Sequence, residues 1–418
     1  MRTERLLRNS ATHRRLGRPL VKSDLEFNFV LGDRIACMNP AHWDELAEGN
    51  SLLLSRASLG HFEESGPQSI RTRYGMIFHD AVPVAALVVR IVSMGEPPAV
   101  PDTAQPRRTG NFRASVRPSD GTMNLRPEVP SRSVLICGDY YVGGFHGVLL
   151  RDESALGRLW PAIATVLQRI ALQEGLDPEH DFILIKDIPG SATSETRLLR
   201  HSQYRRVESS PNMVLSLAAR WKSYEDYLAH LNVRYRLSAV RAARDLLRQG
   251  IVAEPLSDLA PWASRMHALY LSVQRRSISN FIPLPQDFLP GLAAMLSTEQ
   301  FRCTALMKDG AMVGFSFTLK DRDTALCYCL GWDTEVGQQS PMLPSLLHAV
   351  IRDALNLGCR QVNFGRTALR AKAQMGAQPE AAELWVYETR SGLEAPVAPL
   401  LDTLSHAPYG EQATPLPL

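Results

Sequence analysis

An element order that occurs twice along the 418 residues restricts the fold of this chain more than any single motif does. In the second half, Arg302 to Lys308 and Ala311 to Leu319 are β-rich runs parted by Asp309-Gly310, a hairpin turn signal, and Thr324 to Gly331 follows after a polar turn. Ser340 and Pro341 then open a helix on which Leu343, Leu346, Leu347, Val350, Ile351 and Leu355 recur at steps of three and four residues. Gly358 closes it, and Gln361 to Phe364 returns as a strand. In the first half, Arg71 to His79 and Val82 to Val92 form the hairpin, with Val134 to Cys137 and Gly144 to Leu150 as further strand. Leu156, Leu159, Ile163, Val166, Leu167 and Ile170 line the helix, Gly175 ends it, and Asp181 to Lys186 is the returning strand. The matching order predicts an α/β (α+β) chain of two alike domains, each a mixed twisted sheet flanked by helices. One hydrophobic core rarely serves a chain of this length. The expected limits are 25–215 for the first domain, with a poorly ordered surface insertion at 95–133, and 216–390 for the second. The tail at 391–418 is expected either to pack back on the first domain or to hang free.

Charge excludes little. With 46 basic and 43 acidic residues the net charge is +3, too small to argue for nucleic acid by itself. Only six of the basic residues are lysines, so a lysine inside a glycine-bounded loop, Lys372, stands out. Cys37, Cys137, Cys303, Cys327, Cys329 and Cys359 form no Cys-x-x-Cys pair and no histidine stands at zinc spacing, so no metal site is expected. Met1 to Arg18 has no apolar segment of signal-peptide length and no later stretch approaches the roughly 20 apolar residues of a membrane span, which makes a cytoplasmic protein the default expectation.

Between the halves, Ser223 can cap a helix with Asp226 at its third position. Tyr227, Leu228, Leu231, Tyr235 and Leu246 give it an apolar stripe up to Gly250. Arg234, Arg236, Arg241, Arg244 and Arg248 decorate this joint; a solvated face and a phosphate or carboxylate site are the two readings. The run from Asn363 to Ala377 has the pattern of a site edge, because a buried strand breaks at Gly365 and then presents Arg366 and Lys372. Arg366, directly after the strand, has the geometry for a bidentate grip on a carboxylate or phosphate. His348, in mid-helix among apolar neighbours, reads as a satisfied core histidine. No serine–histidine–acid order or nucleophile elbow points to a hydrolase.

The pattern Pro344-Ser345-Leu346-Leu347, the pair Phe364-Gly365, Lys372 four residues before Gly376, and Trp221 to Leu228 with Arg234 and Arg236 just after resemble the Fem-type peptidoglycan aminoacyltransferases and their relatives. That resemblance covers about 25–390 and is strongest after 220. It implies two GNAT-like acyltransferase domains, with most of the site on the second, and a lysine at the place of Lys372 beside the reacting centre. It also implies transfer of an acyl or aminoacyl group to an amine, with no permanently bound cofactor and acyl-CoA or aminoacyl-tRNA as co-substrate. A donor carbonyl would be polarised by a backbone N–H between Tyr328 and Asp333, and the helix start near Ser340 would suit a phosphate. Tyr328, Trp332 and Asp333 are expected to line the cleft, with Asp333 or Glu335 taking the proton of an attacking amine. Asn363, Phe364 and Gly365 complete the expected donor site. Val336 to Pro341 stands where single-domain relatives carry an arginine–glycine-rich pyrophosphate loop, which keeps a longer acyl-CoA, an aminoacyl-tRNA or a carrier-protein thioester open as donors. The acceptor is a small-molecule or peptide amine, a cell-wall precursor included. The competing readings are a non-catalytic binding protein on a degenerate tandem fold and a nucleic-acid binder.

Overall fold

The computed structural model describes residues 27–94, 132–177, 181–190, 196–207, 209–275, 282–387 and 415–416. The expected insertion at 95–133 lies almost wholly outside the described residues, as does the tail apart from Pro415 and Leu416. Strands β1 to β7 are Phe27–Gly32, Ile70–His79, Val82–Met94, Arg132–Cys137, Val148–Leu150, Phe182–Pro189 and Tyr204–Val207. Strands β8 to β15 are Asn212–Ser216, Ile251–Leu256, Phe301–Lys308, Ala311–Asp321, Thr324–Trp332, Gln361–Asn363, Gln378–Glu380 and Ala382–Tyr387. The helices are α1 Pro40–Ala47, α2 Arg56–Ser65, α3 Leu156–Gln173, α4 Arg197–His201, α5 Tyr224–His230, α6 Val233–Arg248, α7 Ala263–Gln274, α8 Phe288–Met295, α9 Thr334–Gln339, α10 Met342–Asn356 and α11 Leu369–Ala373. No helix among the described residues is long and apolar enough to cross a membrane.

Two mixed sheets result, in the orders β1-β2-β3-β4-β6-β15-β7, with β5 also on β3, and β14-β8-β13-β12-β11-β10-β9. The parallel contacts are β4 with β6 and β12 with β13, each the pair joined through the long helix, α3 or α10. The two helices end alike. Gly175 and Gly358 take positive φ of 66° and 67°, and the next residue donates back across the last turn, Leu176 to Ala171 and Cys359 to Ala354. This wrapped ending suits glycine because the left-handed backbone clashes with a Cβ. Asp309 and Gly310 both have positive φ, as a two-residue turn matched to strand twist demands.

Four differences separate the structure from the sequence expectation. Ala382–Tyr387, in the range expected for the second domain, runs antiparallel between β6 and β7 of the first sheet and satisfies the backbone groups on both sides of that slot. Asn212–Ser216 conversely pairs with β13 and β14. The helix expected from Ser223 to Gly250 is two helices. Ser223 and Asp226 do form the reciprocal capping box, but Leu231 and Asn232 are extended, and the Asn232 N–H donates to the Pro415 carbonyl. Leu416 packs with the core beneath α10, so this end of the tail sits on the second sheet and not on the first domain.

One hydrophobic cluster is common to both sheets. Val92, Val134, Ile136 and Leu184 of the first meet Phe315, Phe317 and Leu319 of the second through Phe62 of α2, Tyr270 of α7 and Phe288 of α8. Helix α3 covers the far face of the first sheet and α10 the far face of the second.

The hairpin between β2 and β3 turns through Asp80 and Ala81, both at positive φ. A left-handed alanine is strained by roughly 1 kcal/mol, part of which glycine returns in chain entropy. Ala81→Gly is therefore expected to stabilise the protein by about 0.5 kcal/mol, read as a higher urea midpoint at unchanged slope.

Candidate active site

The cleft opens where the second sheet separates. Strands β12 and β13 pair only over Thr324–Leu326 and Gln361–Asn363. Beyond Asn363 the chain turns to β8: the Phe364 N–H donates to Met213 O and the Met213 N–H to Gly365 O. Gly365 supports this turn with φ 72°, and its N–H donates to Asn363 Oδ1. On the other side, Cys327 pairs with Thr318 and Cys329 with Phe317, which leaves Tyr328 as the extra residue of a β-bulge. A bulged residue lacks its place in the ladder and re-aims its side chain. The gap is a cleft of ≈ 430 Å³ lined by Cys327 to Leu330 and Trp332 on one wall and by Asn363 to Ala368 and Lys372 on the other. Tyr140 to Gly143 and Lys186 reach across from the first unit, and Tyr270 from α7.

Lys372 sits in the short helix α11, which starts after Ala368 in the left-handed region at φ 52°. Its side chain is 4 % exposed. Among the described residues it has no hydrogen-bond or ion-pair partner. Burial lowers its pKa to about 8, against a small opposing influence of Cys327. Tyr328 is half-buried, and desolvation, aided by Asp139, pushes its phenol well above the usual range, so it keeps its proton. Burial likewise raises the Cys327 thiol to about 11, which excludes a ready thiolate.

Lys186 is the second buried lysine of the cleft. Its Nζ donates to Val142 O at 2.6 Å and to Asp187 Oδ2 at 2.8 Å. Asp187, at φ 65°, also accepts from the Gly144 N–H and from Arg366 Nη2, whose Nε donates to Ser210 O. Arg366 thus lines the cleft, yet the carboxylate it grips belongs to the protein. Burial disfavours the Lys186 ammonium and lowers its pKa despite Asp187; burial also opposes the Asp187 carboxylate, but Lys186 and Arg366 outweigh it and hold its pKa low.

The structure brings Tyr328, Trp332, Asn363, Phe364, Gly365, Arg366 and Lys372 to one cleft. Three expected residues fall elsewhere. Asp333 caps α9, accepting from the Glu335 and Val336 N–H groups, and pairs with Arg265 at 3.3 Å; burial raises its pKa, and those donors more than reverse the rise. Its lowered pKa makes it a weak base, and it does not line the cleft. Ser340 is buried with its hydroxyl on Gln249, because Val336 to Gln339 folds into α9 where a loop was expected. Arg236 is half-buried on α6, away from the cleft lining, and donates to Ala229 O.

Lys186 and the loop after β4 were missed by sequence reasoning, which read Asp181 to Lys186 only as strand and Gly144 to Leu150 as another. The signal was Gly138 to Gly144, two tyrosines between glycines, and a lysine ending an otherwise apolar strand. His348 is buried between Tyr224 and Tyr227, but its Nδ1 is unpaired among the described residues and burial lowers its pKa to about 4.

Asn363 Nδ2 donates to Gly143 O at 3.1 Å, and beyond it lies a second cleft of ≈ 520 Å³ that shares Leu326 and Asn363. Ser51, His146 and Asp321 meet there. Ser51 Oγ lies 3.1 Å from His146 Nδ1 and Asp321 Oδ2 3.8 Å from the same nitrogen. A serine hydrolase needs serine and carboxylate on opposite ring nitrogens, so this group does not activate Ser51.

Asp187→Asn leaves two buried cations uncompensated and is expected to cost about 3 kcal/mol, measured by thermal or urea unfolding. Lys372→Met removes a buried charge with no partner among the described residues and is expected to raise stability at pH 7. The folded pKa of Lys372 lies below its unfolded value of about 10.5, so the unfolded chain binds more protons between the two and wild-type stability rises with pH there. The advantage of Lys372→Met therefore shrinks from pH 8 to about 10.5.

Residues 232–373 match a family model described as an acetyltransferase (GNAT) domain. Among solved structures, FemX aligns at TM-score 0.52 and 10% identity over 87% of this chain and 98% of its own. The structure of L-PGS from Bacillus licheniformis aligns at TM-score 0.50 and 12% identity over 87% and 95%. A comparison with curated protein sequences gives no match. β12, the bulge and α10 all lie inside the range that the acetyltransferase (GNAT) model matches, and the chain as a whole has a fold similar to that of FemX.

Proposed function

We propose that this chain is an N-acyltransferase that moves an acyl or aminoacyl group from an activated donor to an amine at the cleft between β12 and β13. The observation that carries the proposal is Lys372, a buried ammonium without a counter-ion among the described residues, in the gap where the sheet opens. An uncompensated charge is unfavourable in the resting protein and becomes favourable when negative charge appears beside it. Attack of an amine on a thioester or ester carbonyl produces such a charge on the carbonyl oxygen. Lys372 stabilises it, with a backbone N–H at the Tyr328 bulge as second donor. Tyr328, which holds its proton, supplies it to the departing thiolate or alkoxide, and the proton that the attacking amine sheds returns to the phenolate. Because the donor is already activated, position and charge do most of the catalysis.

The donors in view are a longer acyl-CoA, an aminoacyl-tRNA and a carrier-protein thioester, all of which carry phosphate. Two cations on the one carboxylate of Asp187, together with Lys372, leave the cleft with an excess of positive charge, which favours such a donor. The acceptor is an amine on a small molecule or peptide, with the lipid or cell-wall classes open.

The test is native mass spectrometry of the protein mixed separately with acyl-CoA pools and charged tRNA, followed by a screen of amine acceptors with whichever donor is retained. Lys372→Ala is expected to keep the donor and lose turnover by on the order of 10²- to 10³-fold. In the wild type kcat/KM falls as pH rises through about 8, where Lys372 loses its proton. Turnover that survives Lys372→Ala unchanged sinks the assignment, and donor retention with no turnover for any amine favours a binding protein.

A further inference from the structure

Helix α6 is apolar on two opposite sides. Its inner side is ordinary: Ala239, Ala242 and Leu246 are buried against the second unit. On the outer side Val233, Leu237, Val240 and Leu247 are 60%, 57%, 41% and 65% exposed. These four, with Arg244 between the last two, follow one another at steps of four, three, four and three residues, so they form one line along the helix. Next to the helix on the edge strand β9, Val252 is 47% exposed and extends the patch. Exposed aliphatic side chains are ordinary when scattered, but a contiguous line of them marks a surface with an occupant.

Charge identifies that occupant. Arg234, Arg236, Arg241, Arg244 and Arg248 flank or interrupt the line, against a single acidic residue of the helix, Asp245, which lies 3.7 Å from Arg248. A second copy of this face would bring the same arginines together and be repelled. A nucleic acid would meet the arginines but leave the aliphatic line between them without a partner, since phosphate contacts are polar. An anionic bilayer surface satisfies both parts, because headgroups take the arginines while valine and leucine enter the acyl boundary. We propose that the outer face of α6 docks the protein on membranes containing anionic lipid, with the helix lying in the plane of the interface.

The docking helix is tied to the active-site unit at its end. Gln249, directly after α6, donates to Gln339 O at 3.0 Å and accepts from Ser340, the junction between α9 and α10. Thr334 of α9 and Leu343 of α10 line the cleft. A docked protein therefore holds its cleft at a fixed distance from the lipid surface, where a lipid-borne or membrane-linked amine could be presented.

The experiment is co-sedimentation of the full chain with vesicles of phosphatidylcholine alone and of phosphatidylcholine mixed with phosphatidylglycerol. Binding is expected only to the mixed vesicles and is expected to weaken with salt. Leu237→Asp combined with Leu247→Asp should abolish it at unchanged thermal midpoint, since both side chains project into solvent. Arg241→Gln combined with Arg244→Gln should weaken it on the order of 30-fold, at about 1 kcal/mol per arginine near the surface. The readout needs no turnover, so it stands apart from the acyl-transfer proposal. No preference for anionic vesicles overturns the inference. So does vesicle binding that withstands the double aspartate variant, a transfer RNA complex that needs the arginines and ignores that variant, or self-association that the variant disrupts.

Discussion

The carboxylate of Asp187 is the point on which the active-site architecture depends. It comes from the first sheet and is fully buried, a position an isolated carboxylate keeps only by losing its charge. Here the charge is retained because Lys186 approaches one oxygen and Arg366, from the second unit, the other, while the Gly144 N–H adds a third donor. Those donors belong to the segments that wall the cleft. Val142 O accepts a second hydrogen bond from Lys186, Ser210 O accepts from Arg366 Nε, and Gly143 O accepts from Asn363 Nδ2. Once the triad forms, the loop after β4, the link between the sheets and the loop after β13 have little freedom left. The left-handed backbone at Asp187 is part of that constraint, since it aims the carboxylate at both partners at a conformation that aspartate tolerates better than most residues.

The shared hydrophobic core makes this economical. Phe62, Tyr270 and Phe288 fill the space between the sheets, so the two units meet through packed side chains over a wide area before any charge is considered. The strand β15 strengthens the union by crossing from the second unit into the first sheet. A cleft with walls from both units then has a fixed width, which transfer chemistry requires if donor carbonyl and acceptor amine are to meet at reacting distance.

The parts of the fold legible in the sequence were those set by local rules. Asp309-Gly310, Gly175 and Gly358 demand particular backbone conformations, and the apolar rows of α3 and α10 fix which face is buried; both kinds of signal lie within a few residues of one another. That Phe364, Gly365 and Lys372 would line one cleft was legible because strand end, glycine and cation stand close together in the chain, and Tyr328 because its strand is the neighbour of that strand end. What stayed hidden was set by distant contacts. Nothing near Ala382–Tyr387 says which sheet it will join. The break in the joint helix at Leu231 and Asn232 has no proline or glycine to announce it, and it pairs with Pro415 far along the chain. Arg366 was read as a ligand cation because its natural partner, Asp187, lies 179 residues away.

The contrast between Lys186 and Lys372 follows from the same distinction. Both are buried in one cleft in a chain with six lysines, and burial lowers the pKa of each. Lys186 is bound to Asp187 and to a backbone carbonyl, so its charge is used up in holding the walls; a substrate that drew it away would leave Asp187 and Val142 short of a donor. Among the described residues Lys372 has no such engagement, and burial is the main influence on its pKa. Its charge is therefore available to a partner that arrives and leaves. In the proposed acyl transfer, Lys372 is the cation free to answer a transient charge, while Lys186 is spent on holding the walls around the cleft.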